Sequence, residues 1–397
     1  MTPPRNNLPS PNSSSPDLQS SATDILLNPR MPDAQRAALL GALASMPALP
    51  AHVWLTTSGS SGIKWVALSK AALLASAQAV NDHLESSAAD VWALALPVFH
   101  VGGLGVLARG FLSGAPVRRY ADAGGEPRWN AASFHAFLLE TGATLTTLVP
   151  TQLHDLLQMS LASPPALRAV VIGGGALNPD LYHAARRLGW PVLPSYGLSE
   201  CCSQVATAAP ASLKPGEQGD PPLLLLSHVA ARISKEGRIT LRSPSLLTGY
   251  GLMGEHGPVF VDPKEDGWFL TEDRGSLTGS ALAVGGRIGD FVKIGGESVD
   301  VVRLERLWAQ AQSSEEGLPE TVLVAAADER LGAAIRLIAT GGPAHQASVA
   351  RAVQAFNRRV LPFERIQGVH QVEEIPRSPL GKLLRTELLA RAELRSG

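Results

Sequence analysis

Cysteine is almost missing. The 397 residues hold only Cys201 and Cys202, and two neighbours in sequence can neither clip distant loops together nor supply a four-ligand zinc site. An excess of either charge is missing too: Lys and Arg total 34 against 35 Asp and Glu, so no global polycation exists to neutralise a nucleic-acid backbone and any anion site is local. Charged residues make up 17% of the chain, below the usual ~25%. Long apolar runs are scarce. The nearest approach to a membrane span is Val91 to Ala108, VWALALPVFHVGGLGVLA, where Pro97, His100 and three glycines point instead to a buried strand, a turn and a helix start. The first 22 residues lack the apolar core of a secretory signal and are dominated by Pro, Ser and Asn, which predicts a disordered tail. Together these absences suit a reducing cytoplasm, without membrane or nucleic-acid partners.

What is present is a chain of two or three domains, at roughly 100–200 residues per domain. Apolar runs of strand length alternate with helical periodicity: VWLTT at 53–57, ALLASAQAVNDHL at 72–84, WALALP at 92–97, TLTTLVP at 144–150 and ALRAVVIGG at 166–174. Strands separated by helix-length segments predict βα units with mainly parallel pairing. From about Gly219 to Gly286 short strands bounded by Gly, Pro and Asp, such as RITLRS and GWFLTEDRG, predict a smaller antiparallel or barrel-like portion. Beyond it DFVKI, a Gly-Gly turn, a helix from about Val301 to Gln312, TVLVAAAD, IRLIAT, a helix near 346–360 and a last helix from Leu383 form a second αβ pattern. The fold class expected is therefore α/β: a large domain over 23–286 with a barrel-like portion, then a small α+β domain over 287–397.

Several segments carry chemistry. Thr57, Ser58, Gly59, Ser60, Ser61, Gly62, Ile63 and Lys64 follow a predicted strand, and glycine-freed N–H groups, hydroxyls and a cation are what a polyphosphate needs; a flexible polar turn is the plain alternative. No Ser or Thr follows a Gly-Lys pair, so this is not a Walker loop. Gly173, Gly174 and Gly175 end a strand where a flat ligand can lie against backbone. Ser195, Tyr196, Gly197, Leu198, Ser199 and Glu200 then combine an aromatic face, a hydroxyl and a carboxylate, suited to stacking, phosphate bonding and Mg²⁺. Asp273 follows a strand, as a ribose-binding Asp does, although a charged hairpin turn has the same look. Lys382 sits on the Pro/Gly loop PRSPLGK, a restrained carrier for a lysine.

In their order, TSGSSG-IK, LPVFHVGG, VPTQL, GGG, YGLSE, GWF-TEDRG, GGRIGDFVKIGGE and PRSPLGK resemble the adenylate-forming family of acyl-CoA synthetases, luciferases and peptide-synthetase adenylation domains, over about residues 53–390. Within it LPVFHVGGLGVLARG, TLVPTQLHDLL and YGLSECCSQVAT are most similar to the branch that ligates o-succinylbenzoate to CoA in menaquinone biosynthesis. The resemblance implies ATP with Mg²⁺ and CoA as partners of a carboxylic acid, with an acyl-adenylate intermediate. It implies nucleotide binding by Thr57 to Lys64, Gly174, Gly175, Tyr196, Gly197, Asp273 and Arg287, phosphate bonding by Ser199, Mg²⁺ at Glu200 and a catalytic Lys382. For a dicarboxylic aromatic acid, Arg109 is the candidate partner of the second carboxylate, with His100, Gly173, Ser203, Gln204 and Thr207 around the acyl group. Arg109 as a surface residue and His100 as a packing residue are the plain alternatives.

Departures from the family pattern matter as well. The phosphate loop lacks the usual Pro before Lys64 and is one residue shorter, and the hinge reads Gly286-Arg287-Ile288-Gly289-Asp290, so Gly289 or Asp290 takes the pivot of an alternating small domain. Only about 50 residues precede the phosphate loop where relatives carry well over a hundred, so an N-terminal subdomain is expected to be trimmed, its walls supplied by a homodimer partner or dispensed with. A ligase for another aryl or medium-chain acid, and a degenerate adenylate-binding protein without turnover, are the competing functions.

Overall fold

The computed structural model describes residues 16–29, 33–59, 62–120, 129–175, 177–214, 219–254, 257–287, 291–294, 297–313, 315, 317–328, 331–378, 381 and 383–394. The chain divides into two compact units, Met1–Thr271 with Gly275–Val284, and Glu272–Arg274 with Gly285–Gly397.

In the first unit a large sheet changes sense partway across. Val117–Arg119, Trp92–Leu94, Leu145–Leu148, Ala169–Ile172 and Val192–Leu198 lie side by side and parallel. The helices Val101–Ser113, Ala131–Thr141, Pro150–Gln158 and Pro179–Arg187 are their crossovers. Every residue of Trp92–Leu94, Leu145–Leu148 and Ala169–Ile172 is buried, because helices cover a parallel sheet on both faces; such strands read as continuous apolar runs. Val192–Leu198 then pairs antiparallel with Ser203–Ala208, which pairs antiparallel with Leu223–Leu225. The order continues through Ala281–Arg287, Trp268–Thr278, Arg238–Arg242 and Ala230–Ile233. The α/β expectation and the antiparallel stretch after Gly219 both stand, the latter divided between an extension of the large sheet and the strands Gly249–Gly254 and Gly257–Val261 of a second sheet.

VWLTT meets the expectation of parallel βα pairing on one side only, where Asp24–Leu26 runs parallel to it across the helix Asp33–Leu43. It lies in His52–Gly59, which forms an antiparallel hairpin with Gly62–Ser69, with Thr57 opposite Lys64 and Gly59 opposite Gly62. The expected phosphate loop is thus strand up to Gly59 and again from Gly62, with Ser60 and Ser61 outside the described residues. The Thr, Val and Trp on both sides favour extended backbone. This hairpin sits in a second sheet of order Asp24–Leu26, His52–Gly59, Gly62–Ser69, Gly249–Gly254, Gly257–Val261.

The expected tail to residue 22 is also corrected. Residues 16–22 are tied down by Lys70, which is 2% exposed. Its Nζ donates to Asp17 O at 2.7 Å and Ser20 Oγ at 2.9 Å, and pairs with Asp24 Oδ2 at 2.8 Å. A buried ammonium needs such a set of acceptors, and Leu18 is buried beside it. Residues 1–15 lie outside the described residues.

The second unit is a sheet of Thr321–Asp328, Gly332–Ala339 and Ile366–Gln371 whose alternating side chains feed two cores. Leu323, Ala333, Ile335 and Leu337 pack with the helices Val301–Gln312 and Gln346–Asn357. Val324, Ala326 and Ile338 pack on the other face with Leu388 and Leu389 of the helix Arg385–Arg391. Period-two alternation therefore places helices on both faces. No helix among the described residues is long and apolar enough to cross a membrane.

Lys70→Met removes the cation from Asp24 and two acceptors from their donor, so we expect a loss of about 3 kcal/mol. Urea unfolding measures it, and limited proteolysis should then cut near residues 16–24 first; an unchanged midpoint contradicts the assignment.

Candidate active site

In open α/β sheets ligands bind beyond the carboxyl ends of the strands, where the strand order or sense changes. Here those ends carry Thr147 and Leu148, Gly173 to Gly175, and the stretch Ser195 to Glu200. Gly174 has φ +76°, a conformation that favours glycine, and both Gly174 and Gly175 are exposed. Gly197 is glycine for a steric reason: a Cβ there would stand 2.1 Å from the Ser203 carbonyl oxygen. After the short turn Ser199–Cys201, Cys202 and Ser203 have φ +52° and +112°. Two consecutive non-glycine residues in this region store strain that the surroundings must hold in place.

That strained corner aims Ser203 at Arg109. Arg109, on the helix Val101–Ser113, is 1% exposed. Its guanidinium donates to Ser203 Oγ at 3.1 Å and Thr147 Oγ1 at 3.3 Å and lies 5.5 Å from the centre of the Trp92 ring. No carboxylate pairs with it among the described residues, and its Nε has no hydrogen-bond acceptor there. Burial pushes its pKa down to about 9, which still leaves it charged at neutral pH. A Cβ at Gly105, one turn earlier, would lie 3.1 Å from Arg109 Nη2 and 3.5 Å from Ser203 Oγ, so this glycine makes the room. Beside the cluster, Gln204 Nε2 donates to Thr207 Oγ1 at 2.6 Å, Ser195 Oγ lies 3.0 Å from the same oxygen, and Gln204 Oε1 has no donor among the described residues. Arg109 is therefore not a surface residue.

Glu200 belongs to a second cluster. Its carbonyl oxygen accepts from Leu247 N at 2.8 Å, and Tyr250 Oη donates to its Oε1 at 2.7 Å. Lys64 Nζ lies 5.4 Å from the centre of the Tyr250 ring. Tyr250 stands opposite Val66, which makes Lys64 its diagonal neighbour on the same face of the sheet.

Other expected residues are placed less tightly. His100 caps the helix that carries Arg109, about 13 Å away along its axis. Burial holds its pKa near 4, so the ring is neutral at physiological pH. Tyr196 packs partly into the core. Asp273 is 8% exposed, and it and Arg287 belong to the second unit. Ser60, Ser61, Gly289, Asp290 and Lys382 lie outside the described residues, as do the side chains of Ser58 and Arg287. Thr147, Trp92 and Tyr250 were missed by sequence reasoning. Tyr250 carried a signal, as one of only four tyrosines, set beside a glycine where a strand begins; Trp92 and Thr147 read as ordinary strand residues.

The family model of the AMP-binding enzymes matches residues 30–251. The chain belongs to this family. Among curated AMP-binding relatives, a probable 2-succinylbenzoate–CoA ligase of Mycobacterium tuberculosis is 31% identical over 368 residues, covering 90% of this chain and 89% of that one. The 2-succinylbenzoate–CoA ligase of Enterococcus faecalis is 26% identical over 78% of this chain, which spans 63% of that relative's length. Two structures of o-succinylbenzoate CoA synthetase (MenE) from Bacillus subtilis share the fold at 22% identity. The complex with the acyl-adenylate OSB-AMP has a TM-score of 0.75 over 92% of this chain and 82% of that one. The complex with ATP and magnesium has a TM-score of 0.74 over 92% and 84%.

Gly197→Ala drives a Cβ into backbone and should destabilise this AMP-binding chain by about 3 kcal/mol or more, by analogy with overpacking; a change below about 1 kcal/mol in denaturant unfolding contradicts it. Because the folded His100 resists protonation, the unfolded chain binds the extra proton between pH 6.5 and 4. Stability from this ring is present above pH 6.5 and falls as the pH drops toward 4. His100→Gln should flatten the pH dependence of the unfolding midpoint across that window.

Proposed function

We propose that this chain is an ATP-dependent, AMP-forming acid–CoA ligase acting on o-succinylbenzoate in menaquinone biosynthesis. The observation that carries the substrate reading is Arg109. A fully buried guanidinium whose acceptors among the described residues are only hydroxyls is costly, and an acid bearing a second carboxylate supplies the missing anion. The M. tuberculosis and E. faecalis relatives, named for this acid, support the same reading. A ligase for a monocarboxylic acid would leave the cation uncompensated.

In the first half-reaction the substrate carboxylate attacks the α-phosphorus of ATP and pyrophosphate leaves. The chain's contribution is positioning and charge neutralisation. Arg109, Ser203 and Thr147 hold the remote carboxylate, with Gln204, Thr207, Gly173 and His100 around the acyl group. The Thr57–Lys64 hairpin and Ser199 face phosphate, Tyr196, Gly174, Gly175 and Gly197 adjoin adenine, and Asp273 and Arg287 hold ribose. Lys382 meets charge developing on the α-phosphoryl group. In the second half-reaction the CoA thiolate attacks the acyl carbon, AMP leaves, and Lys382 has no task.

Among the described residues no group of three or more His, Cys, Asp or Glu could hold a metal. Mg²⁺ brought by ATP keeps its waters and phosphate oxygens and needs only one or two carboxylates. Glu200 is the carboxylate that would hold it, and bound Mg²⁺ would neutralise phosphate charge. Our reading puts the hinge at Gly289 or Asp290, between large and small domains divided at 286–287. Cys201 and Cys202 are free and buried, their thiols pushed up by burial, the first to about 11; such unreactive thiols are consistent with a cytoplasmic chain.

Purified protein with MgATP and o-succinylbenzoate should release pyrophosphate without CoA and form the CoA thioester, seen by mass spectrometry, with it. Release only with other acids discards the substrate, and silence across a broad panel with ATP still binding discards the ligase. Lys382→Ala should lower pyrophosphate release by about 100-fold or more, the scale of removing one transition-state donor. Thioester formation from supplied acyl-adenylate should change little, and equal losses in the two assays contradict the role.

A further inference from the structure

We propose that Tyr250 is a positioning residue for the nucleotide's metal: its hydroxyl fixes Glu200 and its ring holds Lys64 in place. The inference rests on the nucleotide reading of this site and deepens it. Tyr250 lies on Gly249–Gly254, a strand of the smaller sheet, whereas Glu200 lies in the turn that joins two strands of the large one. The phenol therefore reaches across sheets, and it does so at 2.7 Å, as the donor to Glu200 Oε1. A phenol donor to an ionised carboxylate is a charge-assisted bond that fixes a side chain otherwise free to rotate. It commits one oxygen and leaves Oε2, which no described residue bonds, to face a cation.

The backbone reinforces the arrangement. Leu247 N donates to Glu200 O at 2.8 Å and Thr248 N donates to Ala67 O at 2.8 Å. Glu200 is thus held at its carbonyl and at its carboxylate by residues three apart in one segment. The same ring carries Lys64 Nζ 5.4 Å from its centre, within the range in which an aromatic face attracts an ammonium. One side chain therefore keeps the carboxylate and the cation of a phosphate site in fixed places before any ligand arrives. Pre-set geometry of this kind lowers the ordering cost of binding.

The two functions of Tyr250 separate by substitution. Tyr250→Phe keeps the ring and deletes the donor; Tyr250→Leu deletes both. Calorimetric titration of the full chain with ATP is made once with Mg²⁺ and once with EDTA, beside a thermal unfolding control. For Tyr250→Phe we expect MgATP affinity to fall about tenfold, the scale of one hydrogen bond to a charged group, while metal-free ATP binds within twofold of the parent. Tyr250→Leu should weaken both forms, because Lys64 loses its rest.

Tyr250→Phe binding MgATP like the parent overturns the hydroxyl's role. Equal losses with and without Mg²⁺ show a merely structural effect and also overturn it. Identical behaviour of the Phe and Leu variants overturns the ring's hold on Lys64. A parent chain that binds no ATP in either buffer instead overturns the nucleotide reading itself, so the two failures are told apart by the parent's own titration.

Discussion

A positive charge sealed inside the first unit, with no carboxylate paired to it among the described residues, sets the terms for the surrounding structure. Arg109 is enclosed by the helix that carries it, the parallel strand bearing Thr147 and the antiparallel strand bearing Ser203. Each neighbour shows the cost of that enclosure. Gly105 forgoes a side chain to leave room, Ser203 takes a strained backbone to present its hydroxyl, and Gly197 forgoes a side chain because the Ser203 carbonyl lies against it. Hydroxyl oxygens soften the desolvation of a guanidinium without cancelling its charge. Under the proposed function, that charge is met by an anion of the substrate.

A second constraint ties the two sheets of that unit together at the same end. The segment Leu247 to Tyr250 bonds Glu200 twice and Ala67 once, so the carboxylate and the hairpin bearing Lys64 are set by one stretch of backbone. The site is thereby assembled from strand ends and one strand-to-strand contact. Rigid elements hold it, which is what the proposed reaction, dominated by positioning, requires.

How much of this was legible in the sequence depended on the kind of signal. The buried parallel strands at 92, 145 and 169 were visible as apolar runs, and the second unit's sheet and helices as clear alternation. The hairpin at 52–69 was not, because Ser and Gly read as loop while strand pairing along most of their length is a tertiary outcome. Arg109 was found by its place in a motif, but its burial was invisible, since nothing local marks an arginine that three distant elements enclose. Tyr250 was missed for the same reason: its partners Glu200 and Lys64 lie 50 and 186 residues away in the chain.

The central claim is that Arg109 awaits a carboxylate of the substrate, and ligand-induced stabilisation tests it most directly. Thermal unfolding would be followed with o-succinylbenzoate and with its ester lacking the charge of the benzoate carboxylate, for the parent chain and for Arg109→Met. The account predicts that the diacid raises the parent's midpoint well above the ester's effect. It further predicts that this difference vanishes in Arg109→Met, whose own unliganded midpoint is no lower than the parent's, because an apolar side chain of similar length replaces an uncompensated charge. An Arg109→Met chain that still distinguishes diacid from ester, or that unfolds well below the parent, would contradict it.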